Sequence, residues 1–433
     1  MTELRRFEVK SLARVEGEGS LRVRVADGRV EIAEFSIYEP PRFFEKLVRG
    51  RAIHEVPDIV ARICGICPVA YQLTACIALE QALGVTVTPG IGALRRLLYH
   101  GEWIQSHGLH VHLLHAPDFF GVDSGITLAA SRPDLVTRGL RLKDLGARII
   151  EVVGGRAVHP VNVAVGGFHK APSAASIRGL VPDLEWALAA ALDLVGEVSR
   201  FDFPGLPHAY DGVCLRSDSG YPLDGGRIVS TTGLDIGISD YERHFAEQQV
   251  PWSTALHSVK LPGETPYLVG PLARLNLCHD RLPAQTRWAV DACGIELPLT
   301  RSAQSIVARA IEIAAACEDA LAIARGAAAN IAPCRVAWEP QAGVGSHATE
   351  APRGLLWHRY EIGADGLIRH AAIVPPTSQN QAMIEADLKA MLPTVLDHDD
   401  AAATLACERL IRDYDPCISC ATHFLRLRID RGA

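Results

Sequence analysis

Two Cys-x-x-Cys turns stand at opposite ends of the chain, Arg62-Ile-Cys-Gly-Ile-Cys-Pro68 and Asp415-Pro-Cys-Ile-Ser-Cys420, and nothing else constrains the fold as strongly. A Cys-x-x-Cys turn aims two sulfurs at one ion, and soft thiolates select zinc, copper(I), iron or nickel over magnesium or calcium. If the two turns share an ion, the ends of the polypeptide meet. A zinc ribbon draws its two pairs from a compact segment with roughly 15 to 20 residues between them, so this separation argues against one. A thioredoxin-like redox pair would explain one turn and leave the other without a role. The residues by themselves therefore favour a four-thiolate metal site, with zinc the leading ion.

The chain has 433 residues, 48% of them hydrophobic, enough to bury a large core. Its formal net charge of -7 offers no basic field for nucleic acid or an anionic membrane surface. Neither partner is expected. The N-terminus shows no apolar signal core, and no run of about 18 apolar residues marks a transmembrane segment, so a cytoplasmic location is expected. In that reducing compartment eleven cysteines point to metal ligation rather than disulfides. Cys76, Cys214, Cys278, Cys293, Cys317, Cys334 and Cys407 stand singly among apolar or mixed neighbours and are expected to be packing residues.

Alternation over 21–25 and 30–37 around Ala-Asp-Gly28 predicts a β-hairpin. Just before it, Arg14-Val-Glu-Gly17 places Glu16 in a Gly-rich turn, where a glutamate on its own reads as a solvated charge. Cys64-Gly-Ile-Cys67 opens a helix-periodic run to Leu83, closed by Gly84, which places the first thiol pair at a helix N-terminus, where free amides and the macrodipole favour thiolate. A second helix is expected from Ile91 to His115, ending before Pro117. It carries His107, His110, His112 and His115, without an i, i+4 pair to chelate an ion, so these read as core histidines. Long helices are expected over 173–200 and 300–325, loops and short strands over 204–270, strands over 355–362 and 367–374, and a last helix over 399–413. The expected class is mainly α (α+β), a large helical core with small peripheral β-sheets, organised as one domain over residues 1–433.

Taken together, Arg62-Ile-Cys-Gly-Ile-Cys67, Asp415-Pro-Cys-Ile-Ser-Cys420 with His423, Arg14-Val-Glu-Gly17, Val269-Gly-Pro-Leu-Ala-Arg274 and Glu350-Ala-Pro-Arg-Gly354 resemble the large subunit of nickel-iron hydrogenases over essentially the whole chain. Cys67-Pro-Val-Ala-Tyr71 and the Ala-Thr-His-Phe-Leu ending look most like the cytoplasmic bidirectional class linked to NAD(P), including the sulfhydrogenases. The resemblance implies that Cys64, Cys67, Cys417 and Cys420 bind nickel, and that Cys67 and Cys420 also bridge to an iron carrying carbon monoxide and two cyanides, a Ni-Fe(CN)2(CO) group. It implies heterolytic cleavage of H2, with Cys417 as the proton-accepting terminal thiolate and Glu16 carrying the proton away. Arg353, after Pro352, is implied over the open metal position, with a salt bridge to Asp118 as its plainer role. Thr377 and Ser378 are implied hydroxyl donors to cyanide, where the residues alone would read as helix caps. Glu45, the backbone carbonyl near Ile373, and His423 match the family's second site, for magnesium or iron.

The implied partners are an iron-sulfur small subunit, since the chain has no further cysteine cluster of its own, and flavin/NAD(P) reductase subunits. A maturation endopeptidase and nickel chaperones are implied as well, because in many relatives everything after the position of His423 is removed once nickel is loaded. Residues 424–433 are then a maturation tail or, from their alternation after Leu425, a retained strand. Glu18 and Tyr71 stand where many relatives carry histidine. A hydrogen-sensing or a ferredoxin- or deazaflavin-linked subunit, and a non-catalytic zinc-binding or quinone-module relative, stay open as alternatives.

Overall fold

A computed structural model describes residues 4–27, 29–326 and 333–422; His423 and the tail after it, on which two expectations rest, lie outside the described residues. The chain opens on an antiparallel sheet of β1 (Leu4–Val9), β2 (Gly19–Ala26) and β3 (Arg29–Ile37). The hairpin between β2 and β3 is the expected one, and its turn passes through Asp27 at φ 49. β1 is an addition: with Arg5 and Arg6 adjacent, Leu4-Arg-Arg-Phe-Glu-Val9 does not alternate cleanly, and it is held by pairing with β2.

The helical core follows. α1 (Pro68–Leu83) has Cys67 as its N-cap and ends on Gly84 at φ 64, a left-handed stop that glycine adopts without steric cost. α2 (Pro89–Leu109) runs along α3 (Pro133–Gly154) and α5 (Ser305–Gly326), and α5 also packs on α4 (Val181–Val198). α2 and α3 cross very closely: a Cβ on Gly146 would lie 2.5 Å from the carbonyl oxygen of Gly101. Glycine at this crossing is therefore a packing requirement.

The expected end of the second helix before Pro117 is wrong in detail. After α2 the chain widens into a π-helical turn, His110–His115, and continues through Ala116–Phe119, where Pro117 sits in a first turn and its missing N–H costs nothing. The wider turn brings residues five apart together, so the His110 and His115 rings lie 5.2 Å apart. The expected helix over 173–200 is likewise two, Ala174–Arg178 and α4, interrupted at Gly179 and Leu180.

The second sheet carries the hairpin of β4 (Gly343–Ala351) and β5 (Gly354–Ile362), with β6 (Ile368–Val374) on the far side of β5. Ala351 pairs with Gly354, so Pro352 and Arg353 form a two-residue loop at the hairpin tip. β4 does not stand out as a strand in the sequence because it begins on Gly-Val-Gly and carries buried His347, Thr349 and Glu350. α6 (Pro376–Met391) and α7 (Asp400–Asp413, capped by the Asp399 side chain) then deliver the chain to the short helix Ile418–Ala421. The fold is mostly helical with small antiparallel sheets, as expected. No described helix is long and apolar enough to cross a membrane.

Candidate metal centre

The two Cys-x-x-Cys turns meet. Cys64, Cys67, Cys417 and Cys420 are all buried, and their sulfurs lie within 4.8 Å of one another. Cys64 Sγ is 3.4 Å from Cys417 Sγ, Cys67 Sγ is 3.3 Å from Cys420 Sγ, and Cys417 and Cys420 touch at 2.7 Å. Four thiols in contact cannot all ionise in a dry pocket. Hydrogen bonds from Cys417, Cys420 and Cys67 hold Cys64 well below the usual thiol range, whereas burial pushes Cys417 well above it. Filling this set with a metal therefore releases protons, which the ion's charge repays.

The N-terminal pair rests on α1. The amides of Ile66 and Cys67 point to Cys64 Sγ at 3.3 and 3.5 Å. The first-turn amides expected to serve the thiolates go elsewhere: Val69 and Ala70 donate at 2.7 and 3.0 Å to the two oxygens of Glu102, a fully buried carboxylate on α2. Pro68 has no N–H to satisfy, so this buried acid takes two of the three orphan donors at the helix start. Its sequence signal is faint, a glutamate in mid-helix beside Trp103.

The C-terminal pair rests on side chains from distant segments. Thr377 Oγ1 accepts from the Cys417 amide at 3.0 Å, so this threonine caps no helix; Pro375 holds that position without a side-chain bond. Ser378 is fully buried, and its hydroxyl has no hydrogen-bond partner among the described residues. Glu16 meets the same segment: its carbonyl accepts from Ile418 N and its carboxylate from Ser419 N, each at 3.0 Å. Burial, with the negative charge of Cys64 behind it, raises the Glu16 carboxyl above its ordinary range.

Arg353 is 3% exposed at the hairpin tip and grips Asp415, with Nε on the carbonyl at 2.8 Å and Nη2 on Oδ1 at 3.0 Å. Its Nη1 is buried without a hydrogen-bond partner among the described residues. The expected Arg353–Asp118 salt bridge is not formed. Asp118 instead accepts from Arg412 Nε and Nη2, both at 2.8 Å, and from Arg14 Nη2 at 2.6 Å. With both oxygens engaged there, it braces the loop that presents Glu16. Asp415, quoted in the sequence motif but given no role, is the partner of Arg353, and its positive φ of 52 marks the turn that allows it.

Behind the hairpin, Arg274 is fully buried. It donates to both oxygens of Glu312 at 2.7 Å, to Glu350 Oε2 at 2.9 Å, and to the carbonyls of Ala351 and Pro352 at 2.9 Å. Removing one member of such a network leaves a buried charge uncompensated. The core reading of the four histidines holds among the described contacts. His107 lies 3.0 Å from Glu312, His110 pairs with the Arg412 carbonyl, His112 with that of Gly108, and His115 with Asp413. In the second implied site, Glu45 Oε1 accepts from the Ile373 amide at 2.7 Å, a contact of the amide and not of the carbonyl the resemblance implies.

An all-sulfur, buried donor set fits a soft-metal centre. The spare donors of Arg353 and Ser378 fit polar ligands on such a metal, because each is buried and otherwise unsatisfied.

A model of the nickel-dependent hydrogenase family matches residues 42–133 and 256–423. The alpha subunit of sulfhydrogenase 1 from Pyrococcus furiosus is 32% identical over 424 residues, which is 97% of this chain and 98% of that one. The beta subunit of the NAD-reducing hydrogenase HoxS of Cupriavidus necator is 29% identical over 489 aligned positions, covering 97% of this chain and 95% of that one. A crystal structure of an NAD+-reducing [NiFe]-hydrogenase in its H2-reduced state superposes with a TM-score of 0.87 at 30% identity, covering 97% of this chain and 99% of that one. With its four cysteines gathered as a metal site requires, this chain belongs to the nickel-dependent hydrogenases, oxidoreductases acting on H2, as a large subunit.

Proposed function

We propose that this subunit cleaves H2 reversibly and heterolytically at a Ni-Fe(CN)2(CO) group held by Cys64, Cys67, Cys417 and Cys420. Electrons leave through an iron-sulfur small subunit to flavin-containing partners and NAD(P), in the cytoplasm. The observation that carries this reading is the convergence of four buried sulfurs beside Glu16, with Arg353 held on Asp415 two residues before Cys417. When bound, the metals supply the Lewis acidity that polarises H2 and the redox capacity to take its electrons.

The chain's own residues do the rest. Cys417 accepts the proton, and Glu16, tied to Ile418 and Ser419, is placed to take it on. Arg353 keeps a permanent positive charge over the site, and its bonds to Asp415 hold the guanidinium still. Thr377 accepts from the Cys417 amide and so has its own proton free to donate, as does Ser378 toward a cyanide nitrogen. Burial excludes water from the sulfurs. Glu45 and Ile373, with His423, are proposed to hold magnesium or iron. Nickel chaperones and an endopeptidase acting after His423 would complete the centre.

The test is to purify the complex and measure metals, infrared absorption and acceptor use. Nickel with carbon monoxide and cyanide bands, together with H2-driven reduction of NAD+ or NADP+, is the expected result. Zinc alone would overturn the centre. Reduction of a ferredoxin or a deazaflavin but neither pyridine nucleotide would overturn the acceptor and leave the centre standing. Glu16→Gln separates proton transfer from assembly: nickel content holds while turnover drops by roughly a hundredfold or more.

A further inference from the structure

Two cysteines expected to be mere packing residues lie against each other. Cys214, in the strand Val213–Arg216, and Cys278, the last residue of the helix Pro271–Cys278, are fully buried with their sulfurs 3.9 Å apart. We propose that this pair is a reversible modification site, a thiol pair that small peroxides convert to a disulfide.

The two sulfurs are not equivalent. Cys278 ends its helix beside a partly exposed ion pair, Arg216–Asp280, and Arg216 Nη1 lies 3.9 Å from its sulfur. Cys278 thus touches a side chain that reaches solvent, and its thiol donates to the Leu215 carbonyl at 3.6 Å. At Cys214, burial and the neighbouring Cys278 sulfur favour the neutral thiol against the opposing charge of buried Arg274. Cys278 is therefore the sulfur oxidised first. Its sulfur attacks one peroxide oxygen, the O–O bond breaks, and the departing hydroxide takes the thiol proton as water, leaving a sulfenic acid. Cys214 sulfur then attacks that sulfur, the S–O bond breaks, and the departing hydroxyl takes the Cys214 proton as a second water. Two thiols and one hydrogen peroxide give one disulfide and two waters; a small dithiol reverses it.

The position gives the bond a structural consequence. Leu215 N donates to Glu350 Oε1 at 2.7 Å, and Arg274, one helical turn before Cys278, holds Glu350, Ala351 and Pro352. The strand and helix joined by the bond are thus the two supports of the Pro352–Arg353 hairpin tip. Oxidation cross-links the brace behind Arg353 and spares the four metal-site sulfurs. Neither the donor set of the metal centre nor the acceptor enters this inference.

The experiment uses the purified complex, treated anaerobically with hydrogen peroxide, denatured, alkylated and mapped by mass spectrometry with and without dithiothreitol. The expected product is a peptide linking Cys214 to Cys278, two hydrogens lighter than the reduced pair and lost on reduction. In Cys214→Ala, Cys278 should instead carry over-oxidised acid forms, because nothing traps the sulfenic acid. Recovery of both cysteines as alkylated thiols at peroxide doses that oxidise other cysteines of the chain would overturn the proposal. So would a sulfinic acid at Cys278 with Cys214 still a thiol in the unsubstituted protein.

Discussion

The two thiol pairs are the same motif on different supports. Cys64 and Cys67 belong to the entry of a long helix, steadied by amides two and three residues away and by Glu102 on the neighbouring helix. Cys417 caps, and Cys420 lies within, a four-residue helix whose position is set by Glu16, Thr377 and the Arg353–Asp415 pair. The first pair is organised by local structure and the second by tertiary contacts. That difference suits a centre in which one side forms with the core and the other closes onto it.

The largest expected effect treats both sides alike. Cys64→Ser and Cys417→Ser should each lose nickel and reduce H2-dependent dye reduction by roughly a thousandfold or more. Nickel retained with activity in either variant would break the four-thiolate assignment. Arg353→Lys comes next. Lysine cannot make both bonds to Asp415, so activity should fall by about a hundredfold while nickel stays bound. A loss of nickel in that variant would show that the arginine holds the C-terminal segment together instead of serving turnover.

Two hydrogen-bond deletions then test the comparison itself. Glu102→Ala strips both acceptors from the start of α1 and should lower global stability by about 1–3 kcal/mol in denaturant unfolding. Thr377→Val leaves the Cys417 amide unpaired and should act locally, raising hydrogen exchange over 415–422 and the rate of nickel loss to a chelator, with little change in the unfolding midpoint. Equal global destabilisation by both would erase the distinction.

The smallest effect on turnover is a control at Glu385, two turns along α6 from Thr377. Burial raises the Glu385 carboxyl to about 7, although Phe35 N and Trp252 Nε1 both donate to it. The folded chain therefore holds that proton more tightly than the unfolded chain, and stability falls as pH rises from the ordinary glutamate range to about 7. Glu385→Gln keeps an acceptor for both donors and removes the titration. The fall across that window, up to about 3 kcal/mol for a rise from 4.5 to about 7, should disappear, read from unfolding at stepped pH.

Much of the centre was legible because its chemistry is written in residue types. Paired cysteines declare a soft-metal site whatever the fold between them, and the helix closed by Gly84 declares where one pair sits. The residues that hold the cysteines were harder to find. Glu102 is a glutamate in mid-helix, and its value comes from two amides on another helix. Asp118 carries the right charge to pair with Arg353, but Arg14 and Arg412 claim it first. Cys214 and Cys278 looked like packing because their separation in space is invisible in a list of single cysteines.

By itself the sequence determined the donor set, the helical character of the core and the local turns, since these depend on side-chain chemistry and short-range backbone preference. Only the tertiary structure decided which buried charges pair, that the hairpin tip presents Arg353 to Asp415, and how the second Cys-x-x-Cys is held. Those outcomes are competitions among several possible partners for each buried group, and geometry across distant segments settles them.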